Sequence, residues 1–277
     1  MQDQGDRTSS ALERIAAAIE GLAPLPRTSA DWIAAPGYIW DGASRPIATV
    51  EAPALDLLRG IDKQRTAVFE NVQRLGDGHA AHDMLLWGAR GMGKSALVRA
   101  AIKTVQQEGG SLALVQVSPS ALESLPMLFA QLGQVDRNFL VYIDDLGFAD
   151  GDGAGPRHLR SWLDGGIEAR PGNVRLAVTS NRRAIVSRHG AEQDDPINPR
   201  DAVDDMLALS DRFGLSLGFH ACSQDDYLDI LRGYCEAYDL RLEEADALEW
   251  SKRRGARSGR TAWHYITELA GRAGRAI

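Results

Sequence analysis

Eight consecutive residues of the 277-residue chain, Gly88-Ala89-Arg90-Gly91-Met92-Gly93-Lys94-Ser95, have the types and spacing to do chemistry. They follow the G-x-x-x-x-G-K-[ST] pattern of a phosphate-binding loop. Glycines let successive backbone N–H groups curl around an anion, and the unsatisfied N–H groups that open a following helix point the same way. Lys94 adds a mobile positive charge for the outer phosphates. The Ser95 hydroxyl suits Mg2+, a hard cation that keeps most of its other positions for water and phosphate oxygens. A glycine-rich turn with a chance lysine is the bland alternative, and the flanking residues argue against it.

Four further candidates follow in chain order. Asp144-Asp145 come directly after the most apolar run, 139–143. A carboxylate there can hold Mg2+ through water, and a second can orient or deprotonate an attacking water. Asp144 is assigned to the metal and Asp145 to the water; an aspartate that merely ends a strand is the alternative. Asn181 ends the run 174–180 and places an amide near the outer phosphate, unless it only forms a turn. Arg212, in Ser210-Asp211-Arg212-Phe213-Gly214, and Arg260, in Ser258-Gly259-Arg260-Thr261, each offer a planar fork for spread phosphoryl charge. Surface ion pairing is the plain reading of Arg212.

The elements that must position these groups are legible from periodicity. Residues 83–87 predict a short buried strand before the loop, and apolar residues at helical spacing from Ala96 to Ile102 predict a helix after it, stopped by Gly109-Gly110. Residues 112–117, 139–143, 174–180 and 214–219 predict further strands, and 119–133, 156–169 and 201–209 helices between them. Alternation at this spacing implies parallel pairing through right-handed crossovers, with the ligand at the carboxyl ends of the strands.

Before this body, Ser10 and Glu13 form a capping box opening a helix that places Leu12, Ile15, Ala16, Ile19 and Leu22 on one face. Residues 24–53 are rich in Pro and Gly, with 37–42 resembling short strands or turns, and hold Trp32, Tyr38 and Trp40, which could stack a base or peptide but more often plug the edge of a core. A helical region from 55 to 75 is interrupted at Gly60, with Asp62 predicted as its N-cap. From Ser223 onward the pattern is wholly helical.

Bulk properties fit a globular chain. No apolar run reaches the roughly 20 residues that span a bilayer, and the polar, acidic start lacks the order of a secretory signal, so a cytoplasmic protein without membrane contact is expected. Cys222 and Cys235 have no metal-ligand spacing and predict reduced, partly buried thiols. A net charge of -7 argues against gripping nucleic acid by a global field, although Lys252, Arg253, Arg254, Arg257, Arg260, Arg272 and Arg275 cluster at the end. A solvated face plus one functional arginine is the favoured reading of that cluster.

This ordered set resembles the AAA+ ATPases from about residue 50 to the end. The order is a Walker A loop, a carboxylate Walker B, a polar residue ending the next strand, an S-x-R-F-like arginine and a helical segment with Gly-Arg at a helix start. The resemblance implies an α/β P-loop NTPase (AAA+) fold, a parallel sheet covered by helices and followed by a small all-helical lid domain. It divides the chain into an arm (1–50), a nucleotide-binding domain (51–221) and a lid (222–277). It places Ile61 over the adenine and reads Asn181 as sensor 1, Arg212 as the arginine finger and Arg260 as sensor 2, with ATP and Mg2+ as cofactors. Arg182 and Arg183 compete for the finger role; Arg212 is preferred because it lies near the expected subunit edge. More narrowly, Gly60-Ile61-Asp62-Lys63-Gln64, Leu86-Trp87-Gly88-Ala89-Arg90-Gly91, Thr179-Ser180-Asn181-Arg182-Arg183 and Leu209-Ser210-Asp211-Arg212-Phe213-Gly214-Leu215 resemble a bacterial AAA+ ATP-binding family of unassigned cellular role.

The resemblance implies Mg-dependent ATP hydrolysis by a homo-oligomer, ring or open spiral, that remodels or loads a protein or nucleic-acid client. One departure qualifies it: AAA+ Walker B motifs end Asp-Glu, and Asp145 draws the carboxylate back by roughly one C–C bond, about 1.5 Å. The alternative is therefore a slowly hydrolysing ATP-gated adaptor or nucleic-acid-associated loader using the Arg-rich lid and Trp32 and Trp40. A small-molecule kinase shares the loop but fits the helical carboxyl region poorly.

Overall fold

Strands β3 (Met84–Gly88), β4 (Leu112–Val117), β5 (Asn138–Ile143) and β6 (Val174–Ser180) are mostly apolar and buried at nearly every position, as in a sheet covered on both faces. In the computed structural model, which describes residues 31–146, 170–181 and 211–277, they form the middle of a seven-stranded sheet. β1 (Gly37–Trp40), β2 (Ser44–Ile47) and β7 (Leu215–Phe219) complete it in the order β2-β1-β4-β5-β6-β3-β7. All pairings are parallel except the β1–β2 hairpin. The helices expected after Ser10 and over 156–169 and 201–209 lie outside the described residues, as do Arg182 and Arg183.

Six α-helices are described: α1 (Asp62–Gly76), α2 (Lys94–Gln107), α3 (Leu125–Leu132), α4 (Gln224–Ala237), α5 (Glu244–Arg253) and α6 (Gly259–Arg272). α2 buries Leu97, Val98, Ala101, Ile102 and Val105 in the main core, where Val68 and Val72 of α1 join them. The last three helices pack through Tyr227, Leu231, Ala247, Ala262, Tyr265 and Ile266. Ser223 caps α4 in a reciprocal box with Asp226, and Ser258 caps α6 through the Thr261 N–H at 3.1 Å. Arg59, ahead of α1, ties this helical layer down by reaching Asp229 and Glu236 of α4 at 3.4 and 3.1 Å.

Three expectations are corrected. The aromatic segment assigned to an arm ending at 50 contributes β1 and β2 to the sheet, so the α/β body begins before 51. Of the two readings of Trp32 and Trp40, burial decides for plugs: they are 4% and 1% exposed, Trp32 in tilted contact with Tyr38 and Trp40 donating its indole N–H to Ser124 Oγ at 2.8 Å. Asp62 does not cap α1 but is its first residue, ion-paired to Arg65 at 2.6 Å, while Ile61 holds the N-cap without a side-chain bond. The stretch 119–133 also divides, into a 3-10 segment (Pro119–Ser124) and α3. Pro126 accounts for the division: it lacks an N–H and is tolerated only in a helix's first turn, so α3 begins at Leu125.

Candidate functional site

The carboxyl ends of β3, β5 and β6 lie side by side, with Leu86 opposite Thr179 and Ile143 opposite Val178. β3 runs into the loop at Gly88, whose φ of 118° and position leave no room for a side chain: a Cβ would fall 2.2 Å from the Phe219 carbonyl oxygen. That oxygen accepts the Ala89 N–H at 2.8 Å and seats the loop against β7. Gly93, in the left-handed region, is the N-cap of α2 and supplies no side-chain acceptor, so the first N–H groups of α2 face the loop's concavity. Met92 and Ile61 are buried beside it, and Ile61 Cδ1 lies 3.5 Å from where a Gly93 Cβ would stand.

Lys94 is 5% exposed, and its Nζ donates to Gly88 O at 2.9 Å, Ala89 O at 2.8 Å and Asn181 Oδ1 at 3.0 Å. Burial lowers its pKa, partly opposed by the Asp145 and Asp144 carboxylates, and the nearby charges of Arg260 and Arg90 push the same way as burial. A buried ammonium donating only to neutral oxygens is a group to which an anion brings stabilisation, and the donor set therefore fits phosphate.

Asp144 Oδ1 accepts three O–H donors: Tyr142 at 2.6 Å, Ser95 at 2.7 Å and Thr179 at 2.7 Å. Burial works against its ionisation, but those hydrogen bonds and the charge of Arg99 outweigh burial and hold its pKa below the ordinary carboxylate value. Burial, then the Asp144 charge, raises the Tyr142 pKa, so the phenol stays a donor. Among the described residues no cluster of three or more His, Cys, Asp or Glu can cage a metal. The Ser95 hydroxyl beside an ionised Asp144 is a hard-oxygen pair suited to Mg2+ arriving with phosphate oxygens and water.

Asp145 sits at φ 51°, in the left-handed region, with its N–H bonded to Thr179 Oγ1 at 2.8 Å. Its half-exposed carboxylate accepts from Asn181 Nδ2 and lies 4.0 Å from Arg90. Asn181 thus bridges Lys94 and Asp145, one end of its amide on each.

Arg260 is the second residue of α6. Its N–H donates to Gly91 O at 3.1 Å, and a Cβ on Gly91, at φ 74°, would stand 2.9 Å from Ser258 Oγ and 3.2 Å from Arg260 Cβ. The start of α6 therefore rests on the loop, and its arginine is close enough to depress the Lys94 pKa. Arg212 is exposed ahead of β7, the edge strand on that side of the sheet, and takes no part in the hydrogen bonds around Lys94.

The structure gathers Gly88 to Ser95, Asp144, Asp145, Asn181, Ile61 and the start of α6. Sequence reasoning missed Tyr142 and Thr179. The signal for Tyr142 was its place two residues before Asp144, hence on the same strand face; that for Thr179 was a hydroxyl directly after the apolar run Leu176-Ala177-Val178, at the carboxyl end of β6.

The fold is shared with solved AAA+ ATPases. Thermotoga maritima RuvB, a Holliday junction branch migration motor, matches with a TM-score of 0.51 and 18% identity, over 82% of this chain and 68% of that one. The Aeropyrum pernix ORC1 protein, solved in complex with DNA, matches with 0.55 and 15%, over 83% and 68%. Hsp104, solved in a closed state with ATPγS and FITC casein, matches with 0.51 and 17%, over 78% of this chain and 38% of its own. At these identities the likeness is one of fold. No curated protein matches the chain. Over residues 34–273 the sequence fits the family described as "Protein of unknown function (DUF815)", and the chain belongs to that family.

Proposed function

We propose that the chain binds ATP with Mg2+ at the loop Gly88 to Ser95 and hydrolyses it as one subunit of a cytoplasmic homo-oligomer that remodels or loads a macromolecular client. The observation that carries this reading is the convergence of Lys94, Ser95, Asp144, Asp145 and Asn181 at one end of three adjacent strands, hydrogen-bonded to one another. The same region brings α6 against the loop.

In this reading the loop N–H groups and Lys94 bind the phosphates, exchanging the carbonyls that Lys94 now contacts for phosphate oxygens. Ser95 and Asp144 hold Mg2+, which supplies charge neutralisation at the phosphate oxygens. Asp145 accepts the proton of the attacking water, and Asn181 fixes both that carboxylate and the ammonium. Arg260 follows phosphoryl charge from the lid, and Arg212, on the sheet-edge side, serves the site of a neighbouring subunit. The three solved relatives act on or are bound to different macromolecules, so the fold supports a motor without choosing its client.

A second reading, a slowly hydrolysing ATP-gated adaptor or nucleic-acid-associated loader, is favoured by one observation: the shortened Asp145 carboxylate is tied to Asn181 and approached by Arg90. Burial removes Trp32 and Trp40 from its contact surface. Titration calorimetry with ATP and Mg2+, paired with phosphate release, tests the proposal. Binding and turnover in the wild type with at least tenfold weaker binding in Lys94→Ala support it; no binding by the wild type refutes both readings.

A further inference from the structure

Thr179 touches both aspartates, Asp144 at its carboxylate and Asp145 at its backbone N–H. Its side chain is almost fully buried on β6, and its Oγ1 donates to Asp144 Oδ1 at 2.7 Å while accepting the Asp145 N–H at 2.8 Å. Its carbonyl also accepts the Leu146 N–H at 2.9 Å, so the backbone leaving β5 is sewn to one residue of β6 at two successive N–H groups.

The consequences for the two carboxylates differ. Asp144 Oδ1 is saturated by Tyr142, Ser95 and Thr179, whereas Oδ2 has no hydrogen-bond partner among the described residues. One oxygen is spent on orientation and the other is presented. At Asp145 the bond is to the backbone: it holds a non-glycine residue at φ 51°, a left-handed conformation that persists only when neighbours over-determine it.

We propose that Thr179 is a positioning residue that sets the metal-holding and water-holding carboxylates together, through one hydroxyl. The inference rests on the proposed Mg2+ and ATP site and names a residue of the following strand as the link that keeps the two acidic groups in fixed relation. Tyr142 supports it on one side only, since its hydroxyl donates to Asp144 and not to Asp145.

The test compares Thr179→Val, which keeps the branched shape and removes the hydroxyl, with Thr179→Ser, which keeps the hydroxyl. The readout is the factor by which Mg2+ tightens ATP binding, taken from titrations in excess Mg2+ and in EDTA, with turnover measured alongside. The expected result is a loss of about 10- to 100-fold in that factor and in turnover for Thr179→Val, unchanged affinity in EDTA, and recovery in Thr179→Ser. Should the valine variant not fold, Thr179→Ala against Thr179→Ser makes the same comparison. A hydroxyl-free variant with the wild-type Mg2+ effect overturns the inference, as does a serine variant as impaired as the hydroxyl-free one. A wild type that binds no nucleotide overturns the proposed function and this inference with it; a wild type that binds and responds to Mg2+ without turnover leaves the affinity comparison to decide.

Discussion

Where AAA+ Walker B motifs end in glutamate, this chain has Asp145, and the carboxylate is held back by both its length and its bond to Asn181. Lengthening it by one methylene, about 1.5 Å, moves it toward the water it is proposed to activate. Asp145→Glu is expected to raise single-turnover hydrolysis several-fold, and Asp145→Asn to lower it at least 100-fold, with ATP affinity changed little in either. A glutamate variant slower than wild type would show that the shorter side chain is matched to this site. At this scale the loop, Asp144, Asp145 and Asn181 were legible because their chemistry is written in local patterns. Thr179 and Tyr142 were not, because their role depends on β6 lying beside β5 with Ile143 opposite Val178, a register that no local pattern encodes.

Among the elements, the junction of the loop with α6 makes the sharpest demand on a side chain. Gly91→Ala would place a methyl 2.9 Å from Ser258 Oγ on a backbone at φ 74°. It is expected to weaken ATP binding about tenfold and lower stability by about 1–2 kcal/mol, the cost of a strained left-handed residue. Calorimetry and thermal melts read both; unchanged affinity would show that α6 does not need to rest on the loop. At the other side of the sheet, Arg137 donates to the carbonyls of Trp32, Ile33, Ala35 and Leu112 at 3.0, 3.1, 2.8 and 3.1 Å, pinning the chain that enters β1. Arg137→Ala is expected to cost about 2–4 kcal/mol of unfolding free energy, read from urea unfolding. The central strands were legible from apolar runs bounded by turns, and β4 and β6 have the expected bounds. β1 was legible only as short strands or turns over 37–42 and β2 not at all, because a four-residue strand amid Pro and Gly carries too little periodicity, and long-range pairing of β1 with β4 decides its state.

For the molecule as a whole, three of the basic residues clustered in the final segment are ion-paired within it. Arg253 pairs with Glu249, Arg272 with Asp246 and Glu268, and Arg275 with Asp239, while Arg254 stacks on Trp250. That is the solvated face expected from the charge pattern. Buried titrating groups set the pH response. Burial pushes Cys222 from an ordinary 9.0 to about 11 and Tyr227 from 10.0 to about 12. Raised values mean the folded chain holds these protons more tightly than the unfolded one. Their contribution is therefore whole below pH 9.0 and falls as pH climbs through the intervals ending at about 11 and 12. On the acid side, the lowered Asp144 contributes above its ordinary 3.8 and is lost as pH falls below it. Urea midpoints measured in reducing buffer are expected to decline on both sides; a midpoint rising between pH 9 and 11 would contradict the assignment. The fold class was legible because alternating elements and one motif leave few topologies. The proposed use of Arg212 by a second copy was not, because it depends on a neighbouring subunit that the pattern of one chain does not position.

That role brings the account to its most direct test: Mg2+-dependent ATP turnover per chain, followed across protein concentration for the wild type and for Arg212→Ala. The account predicts that turnover per chain rises with concentration as subunits assemble, and that the Arg212 variant binds ATP normally yet loses at least 100-fold of that turnover at every concentration. Tight ATP binding with negligible wild-type turnover throughout, or an Arg212 variant as active as the wild type, would contradict it.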